Sequence, residues 1–126
     1  MIMVTGGAYQ GKTPYVMRRF GIGEKEIADG EYCSPDELKS SRCIKNFHKL
    51  VKRLGDDCIS FTEELCRVNR DVIIIIDEIG CGIVPMEKGE RIWRENVGRC
   101  GCIIASASDQ VIRIVCGIPS VIKGEE

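Results

Sequence analysis

The sequence is short of the features that mark several broad classes of protein. It has no excess of one charge: 18 Lys and Arg stand against 19 Asp and Glu, for a net charge of −1. Such a balance exerts no global pull on a polyanion, so no nucleic-acid partner is expected. No apolar run approaches the roughly 20 residues that span a bilayer, so no membrane partner is expected either. The opening stretch from Met1 to Val4 is apolar, but Gly6, Gly7 and Lys12 follow at once. It therefore does not read as the apolar centre of an export signal, and the expected location is cytoplasmic. There is no internal repeat and no low-complexity tract. Paired C-x₂₋₄-C spacings of the kind that hold structural zinc are also missing, since Cys100 and Cys102 stand too close together.

What is present fits one globular domain over residues 1–126. Hydrophobic residues make up 44% of the chain and charged residues 29%, as in an ordinary globular protein. A chain of this length can bury a real core without disulfides. The eight cysteines are scattered through apolar segments and are expected to be reduced and mostly buried, acting as small hydrophobes.

Residues 2–5 read as a short apolar strand ending at a glycine pair. A helix follows to about Phe20, with Tyr15, Val16 and Phe20 inward and Gly21 and Gly23 at its end. Ser34-Pro35-Asp36-Glu37 reads as a capped helix start. A brief strand is expected over residues 42–44. Phe47, Leu50, Val51 and Leu54 fall at helical spacing and predict an amphipathic helix over residues 46–54, stopped by Gly55. Another helix is expected over residues 59–68. The clearest strand is residues 72–76, an unbroken β-branched run covered on both faces. An irregular glycine-rich loop over residues 80–85 leads to a long helix over about 87–107, weakened near Gly98 and Gly101. A last strand is expected over residues 111–116 and a tail over 117–124. Strands alternating with helices argue for an α/β fold with a mainly parallel sheet.

The most specific local signal is Gly6, Gly7, Ala8, Tyr9, Gln10, Gly11, Lys12 and Thr13. This octet matches G-x-x-x-x-G-K-[ST], with a strand before it and a helix after it, the setting that a phosphate loop requires. Glycines let the backbone turn its N–H groups into a concave anion site, and the helix N-terminus adds partial positive charge. Lys12 can reach the β- and γ-phosphates, and Thr13 can ligate magnesium. A nucleoside triphosphate partner follows, with ATP and GTP both open. Asp77 and Glu78 end the second apolar strand, where proteins with such loops place a carboxylate for the metal. Successive strand side chains point to opposite faces, so the pair should diverge. The plainer reading is an acidic turn after a buried strand.

Two segments together resemble the adenosylcobinamide kinase / adenosylcobinamide-phosphate guanylyltransferase family of cobalamin biosynthesis. One is the opening Met1-Ile2-Met3-Val4-Thr5-Gly6-Gly7-Ala8 with Gly11-Lys12-Thr13. The other, more specific, is Asp77-Glu78-Ile79-Gly80-Cys81-Gly82-Ile83-Val84-Pro85, similar to N-E-V-G-x-G-I-V-P. The likeness continues through Arg94-Glu95, Gly98-Arg99, Asp109-Gln110-Val111, Gly117-Ile118-Pro119 and Lys123-Gly124.

The resemblance implies a RecA-like parallel-sheet fold, here reduced in size. It implies phosphorylation of the aminopropanol arm of adenosylcobinamide, a corrinoid, followed by GMP transfer through a histidine. It also implies a homo-oligomer, a trimer. In this reading Lys12, Glu78 and Asp77 are catalytic, Thr13 and Glu78 hold magnesium, and Arg94 and Arg99 contact substrate or a neighbouring subunit. The chain is shorter than the family between residues 20 and 72, where the histidine-rich segment H-x-x-R-R belongs. The sole histidine is His48, expected as a surface or cap residue and, as the sharper alternative, as the site of guanylylation. Lys45 stands where the family carries an acid. A shortened nucleotide-binding paralogue without cobinamide chemistry, regulatory or corrinoid-binding, is the second reading.

Overall fold

The computed structural model describes residues 1–79 and 87–125. The loop expected at residues 80–85, with most of the Glu78-to-Pro85 segment, lies outside the described residues.

Six strands form one sheet in the order β2-β3-β4-β1-β5-β6. They are β1 (Ile2–Gly6), β2 (Ile27–Asp29), β3 (Cys43–Lys45), β4 (Ile73–Asp77), β5 (Gln110–Val115) and β6 (Ile118–Lys123). The first five run parallel, and β6 pairs antiparallel with β5. The helices are α1 (Lys12–Phe20), α2 (Pro35–Leu38), α3 (Phe47–Leu54), α4 (Cys58–Val68) and α5 (Lys88–Ala107). This is the mainly parallel α/β architecture read from the sequence.

Strand β1 lies between β4 and β5, with Gly6 opposite Asp77. The phosphate-loop strand and the acidic-ended strand are therefore immediate neighbours. Alternation along β4 divides the core in two. Ile73 and Ile75 pack with Val4, Tyr15, Val16, Ile112 and Ile114 on the α1 side. Ile74 and Ile76 pack with Phe47, Leu50, Leu65 and Ile104 against α3, α4 and α5. All four isoleucines are buried, which explains a strand with no polar alternation. Each such side chain contributes about 1.5–3 kcal/mol by leaving water.

The structure corrects the chain's end. Residues 117–124 are not a tail: β6 closes a hairpin with β5. Cys116 (φ +50°) and Gly117 (φ +77°) both have positive φ, the backbone of a two-residue turn whose twist suits a hairpin. Pro119 is tolerated because β6 is an edge strand, where a missing N–H costs no ladder bond inside the sheet. Strand β2 was also missed, being only three residues long. Helix α5 runs unbroken through Gly98 and Gly101, its Val97, Cys100 and Ile104 buried.

At α2 the Ser34 hydroxyl caps the Glu37 N–H as expected. The seven described cysteines are free thiols, but only Cys43, Cys58 and Cys100 are buried, fewer than expected. Burial pushes the Cys43 and Cys100 thiols up to about 12, which makes them poor nucleophiles. Among the described residues, no helix is long and apolar enough to cross a membrane.

Candidate active site

The site grows from two strand ends. Gly6 closes β1 at φ +150°, and a Cβ there would lie 2.4 Å from the Ile114 carbonyl oxygen, so no side chain fits. Gly11 takes left-handed geometry (φ +84°) as the N-cap of α1, a conformation that glycine adopts without strain. Between them Tyr9 also has positive φ, at +60°, and its side chain stands wholly in solvent. The hairpin turn buttresses this loop from beside. The Gly117 N–H donates to the Gln10 carbonyl at 2.9 Å, and the Cys116 N–H donates to the Gln10 side-chain oxygen. The segment first read as a tail thus supports the phosphate loop.

Lys12 opens α1 yet is only 6% exposed. Its ammonium donates to the Gly7 carbonyl at 2.6 Å and meets Asp77 Oδ1 at 2.7 Å. Asp77 keeps the parity of Ile73 and Ile75, so its side chain leaves β4 on the α1 side, toward the loop. Glu78 turns away: both its oxygens receive Arg113, at 2.9 Å and 3.0 Å, in a two-pronged pair. Arg113 keeps the opposite parity, since its neighbours Ile112 and Ile114 pack on the α1 side. The single signal that separates the two acids is this count of two along β4, and it was available in the sequence.

His48 is not a surface residue. It is 5% exposed, because α3 packs over the end of β4. Its Nδ1 accepts the Asp77 backbone N–H at 3.1 Å, and Nε2 lies 3.4 Å from Asp77 Oδ2. An accepting Nδ1 puts the proton of the neutral ring on Nε2, facing the carboxylate. Burial is the main influence on His48 and lowers its pKa; Asp77 opposes this, while Lys49 and Lys12 reinforce it. The neutral ring is therefore the resting form, and Asp77 is held between Lys12 and His48.

These groups line a cavity of about 530 Å³ running from Ala8 to Pro14 along the loop and on to Asn46, His48, Lys49 and Asp77. Loop amides, a buried ammonium and a helix N-terminus on one side suit a polyphosphate. Thr13 and Asp77 both line this space, and a hydroxyl and a carboxylate are hard oxygen donors of the kind magnesium takes. Among the described residues no three His, Cys, Asp or Glu side chains converge as a metal cage, so phosphate and water would complete such a shell. Neither Arg94 nor Arg99 is among the described residues lining this cavity. Arg99 lies instead on an open groove between α4 and α5.

Comparison with known proteins adds a family. The profile described as "Cobinamide kinase / cobinamide phosphate guanyltransferase" matches residues 37–122, about two thirds of the chain. The phosphate loop lies before that stretch. The chain is also 35% identical over 74 residues to the "Bifunctional adenosylcobalamin biosynthesis protein CobU" of Salmonella typhimurium. That alignment takes in 58% of this chain and 41% of the Salmonella protein, so the chain matches well under half the length of this relative.

Proposed function

This chain belongs to the cobinamide kinase / cobinamide phosphate guanyltransferase family, and we propose that it is a nucleotide-dependent kinase that phosphorylates adenosylcobinamide in cobalamin biosynthesis. The observation that carries this reading is the cluster of Lys12, Asp77 and His48 at the mouth of the phosphate loop. Transfer of a γ-phosphoryl group needs positioning and charge stabilisation more than covalent help from the protein. Lys12 and the amides of residues 7–13 supply that charge. Magnesium, bound with the nucleotide, would neutralise further phosphate charge, and Thr13 with Asp77 would hold it. Glu78, expected in that place, is committed to Arg113. His48 keeps Asp77 in register from behind.

The same geometry disfavours guanylyl transfer through His48. A ring nitrogen that attacks phosphorus must present a free lone pair. Here Nδ1 already accepts the Asp77 N–H, and Nε2 faces the Asp77 carboxylate. The guanylyltransferase half of the family's chemistry is the part that His48 does not support. The short match to the Salmonella protein keeps a second reading, a nucleotide-binding paralogue that turns over no corrinoid. A homo-oligomer, trimeric by the family likeness, goes with either reading.

One experiment separates them. The protein is incubated with adenosylcobinamide, magnesium and either ATP or GTP, and the corrinoid is weighed by mass spectrometry. A phosphate adduct that disappears in Lys12→Ala is expected. A GDP-sized adduct would restore the guanylyl step, and nucleotide binding by calorimetry with an unchanged corrinoid would establish the paralogue.

A further inference from the structure

A second cavity, of about 460 Å³, adjoins the first and shares His48, Lys49 and Asp77 with it. Those three residues form the wall between the two spaces. Beyond the wall the second cavity is lined by Lys52 and Arg53 of α3, by Glu31, and by Trp93 of α5. Lys49, Lys52 and Arg53 fall at i, i+3 and i+4 and line the cavity from one face of α3; Arg53 donates to the Gly30 and Cys33 carbonyls at 2.6 Å and 2.9 Å, so Lys49 and Lys52 are the cations offered to a ligand. The opposing carboxylates are already engaged. Asp77 is held by Lys12 at 2.7 Å, and Glu31 meets Lys49 at 3.1 Å. Among the described residues Lys52 meets Glu90 at 3.7 Å and lies 4.9 Å from the centre of the Trp93 ring. The indole is fixed in turn by donating from Nε1 to the His48 carbonyl at 2.8 Å.

We propose that this second cavity is the acceptor site, and that its cations bind the phosphate monoester formed by the reaction more firmly than the alcohol it came from. The proposal rests on the kinase reading. The acceptor hydroxyl oxygen forms the new bond to the γ-phosphorus across the shared wall. The bond from that phosphorus to the β–γ bridging oxygen breaks, its electron pair leaves on the nucleoside diphosphate, and the hydroxyl proton goes to solvent water. The phosphoryl group thereby moves from the loop's amides toward Lys49 and Lys52. A monoester carries roughly −1.5 to −2 charges at neutral pH, where the parent alcohol carries none. Charge-assisted contacts to lysine or arginine therefore favour the product.

Trp93 is the only tryptophan in the chain, so indole fluorescence reports this one side chain, which lines the second cavity and also a neighbouring space beside Glu87 and Glu90; the double variant below ties the signal to the second cavity. The phosphate loop is first saturated with GDP or ADP. 1-Amino-2-propanol O-phosphate is then titrated against Trp93 fluorescence, with 1-amino-2-propanol as the control. The monoester is expected to bind at least about tenfold more tightly than the amino alcohol (about 1.4 kcal/mol). The difference should fall to within about twofold in the double variant Lys49→Gln, Lys52→Gln, with saturation of the loop by nucleotide first established for that variant by calorimetry and its fold by far-ultraviolet circular dichroism. Equal affinities, no saturable change in Trp93, or a preference that survives the double variant would overturn the proposal. The kinase reading is tested separately by the corrinoid mass. A phosphate adduct with no Trp93 response would leave the kinase and remove this site. A Trp93 response with no adduct would leave a phosphate site without the corrinoid reaction.

Discussion

Asp77 and Glu78 are adjacent, carry the same charge and close the same strand, yet the fold puts them to different uses. Asp77 is enclosed by Lys12, His48 and the phosphate loop, with its side chain 22% exposed. Glu78 is 25% exposed, much like Asp77, but it is matched to Arg113, which is about half exposed. One turns toward a cavity able to take a polyphosphate, and the other toward a lateral ion pair between two strands. The difference comes from the pleat. On a strand buried on both faces, one step along the chain moves a side chain from one layer to the other. A carboxylate's role here is set by its parity relative to the buried isoleucines, more than by its own chemistry.

The largest effect expected from this contrast belongs to Lys12. Lys12→Ala removes the one buried ammonium of the loop and should lower kcat for corrinoid phosphorylation on the order of 10³-fold. A steady-state assay of nucleoside diphosphate release checks it, and a loss below about tenfold would detach the loop from the reaction. The two acids come next. Asp77→Asn keeps shape and removes charge, and should cost on the order of 10²-fold in kcat. Glu78→Gln should leave kcat within about threefold, because among the described residues its oxygens pair with Arg113 and Glu78 does not line the active cavity (an isolated surface pair contributes little). Equal losses in the two variants would abolish the distinction drawn from parity.

Much of this layout was legible in the sequence, for identifiable reasons. The octet at residues 6–13 carries its own spacing, and the run at residues 72–76 is long and β-branched. Helices α3 and α4 follow from apolar positions at helical period. What escaped depends on contacts distant in sequence. Strand β2 is three residues long and exists because Cys43, Ile44 and Lys45 pair with it. The final hairpin turns on Cys116-Gly117, which lacks the Asn-Gly or Asp-Gly signature of such turns. The burial of His48 was invisible for a related reason. Its position on α3 gives no hint that the helix caps the end of β4, 29 residues further along.

A smaller effect is expected on the Glu78 side. Removing Arg113 or Glu78 should change unfolding free energy by about 1 kcal/mol or less, as measured by urea denaturation, since pairs this exposed are screened by solvent. A double-mutant cycle of Glu78→Gln with Arg113→Gln should give a coupling of about 0.2–1 kcal/mol. A coupling of several kcal/mol would make this pair a structural keystone, and the contrast with Asp77 would have to be redrawn.

The smallest signal is a slope rather than a loss, and it tests why Asp77 stays where it is. Burial lowers the His48 pKa below the ordinary histidine value of about 6.5, so between that value and the folded pKa the unfolded chain binds more protons than the folded one. Stability then rises with pH across this window and falls as pH is lowered through it. The structural reason is specific. Protonation puts a hydrogen on Nδ1, which would face the Asp77 N–H, donor against donor, and break the contact at 3.1 Å. The Tm should therefore drop between pH 7 and pH 5 more steeply in the native protein than in His48→Gln, where no ring titrates. Other carboxylates shape both curves, so the difference between the slopes isolates His48. Glu78→Gln should keep the native slope, since Glu78 does not act on that ring. If His48→Gln and the native protein lose stability in parallel, His48 is not poised against Asp77, and the enclosed carboxylate owes its position to Lys12 alone.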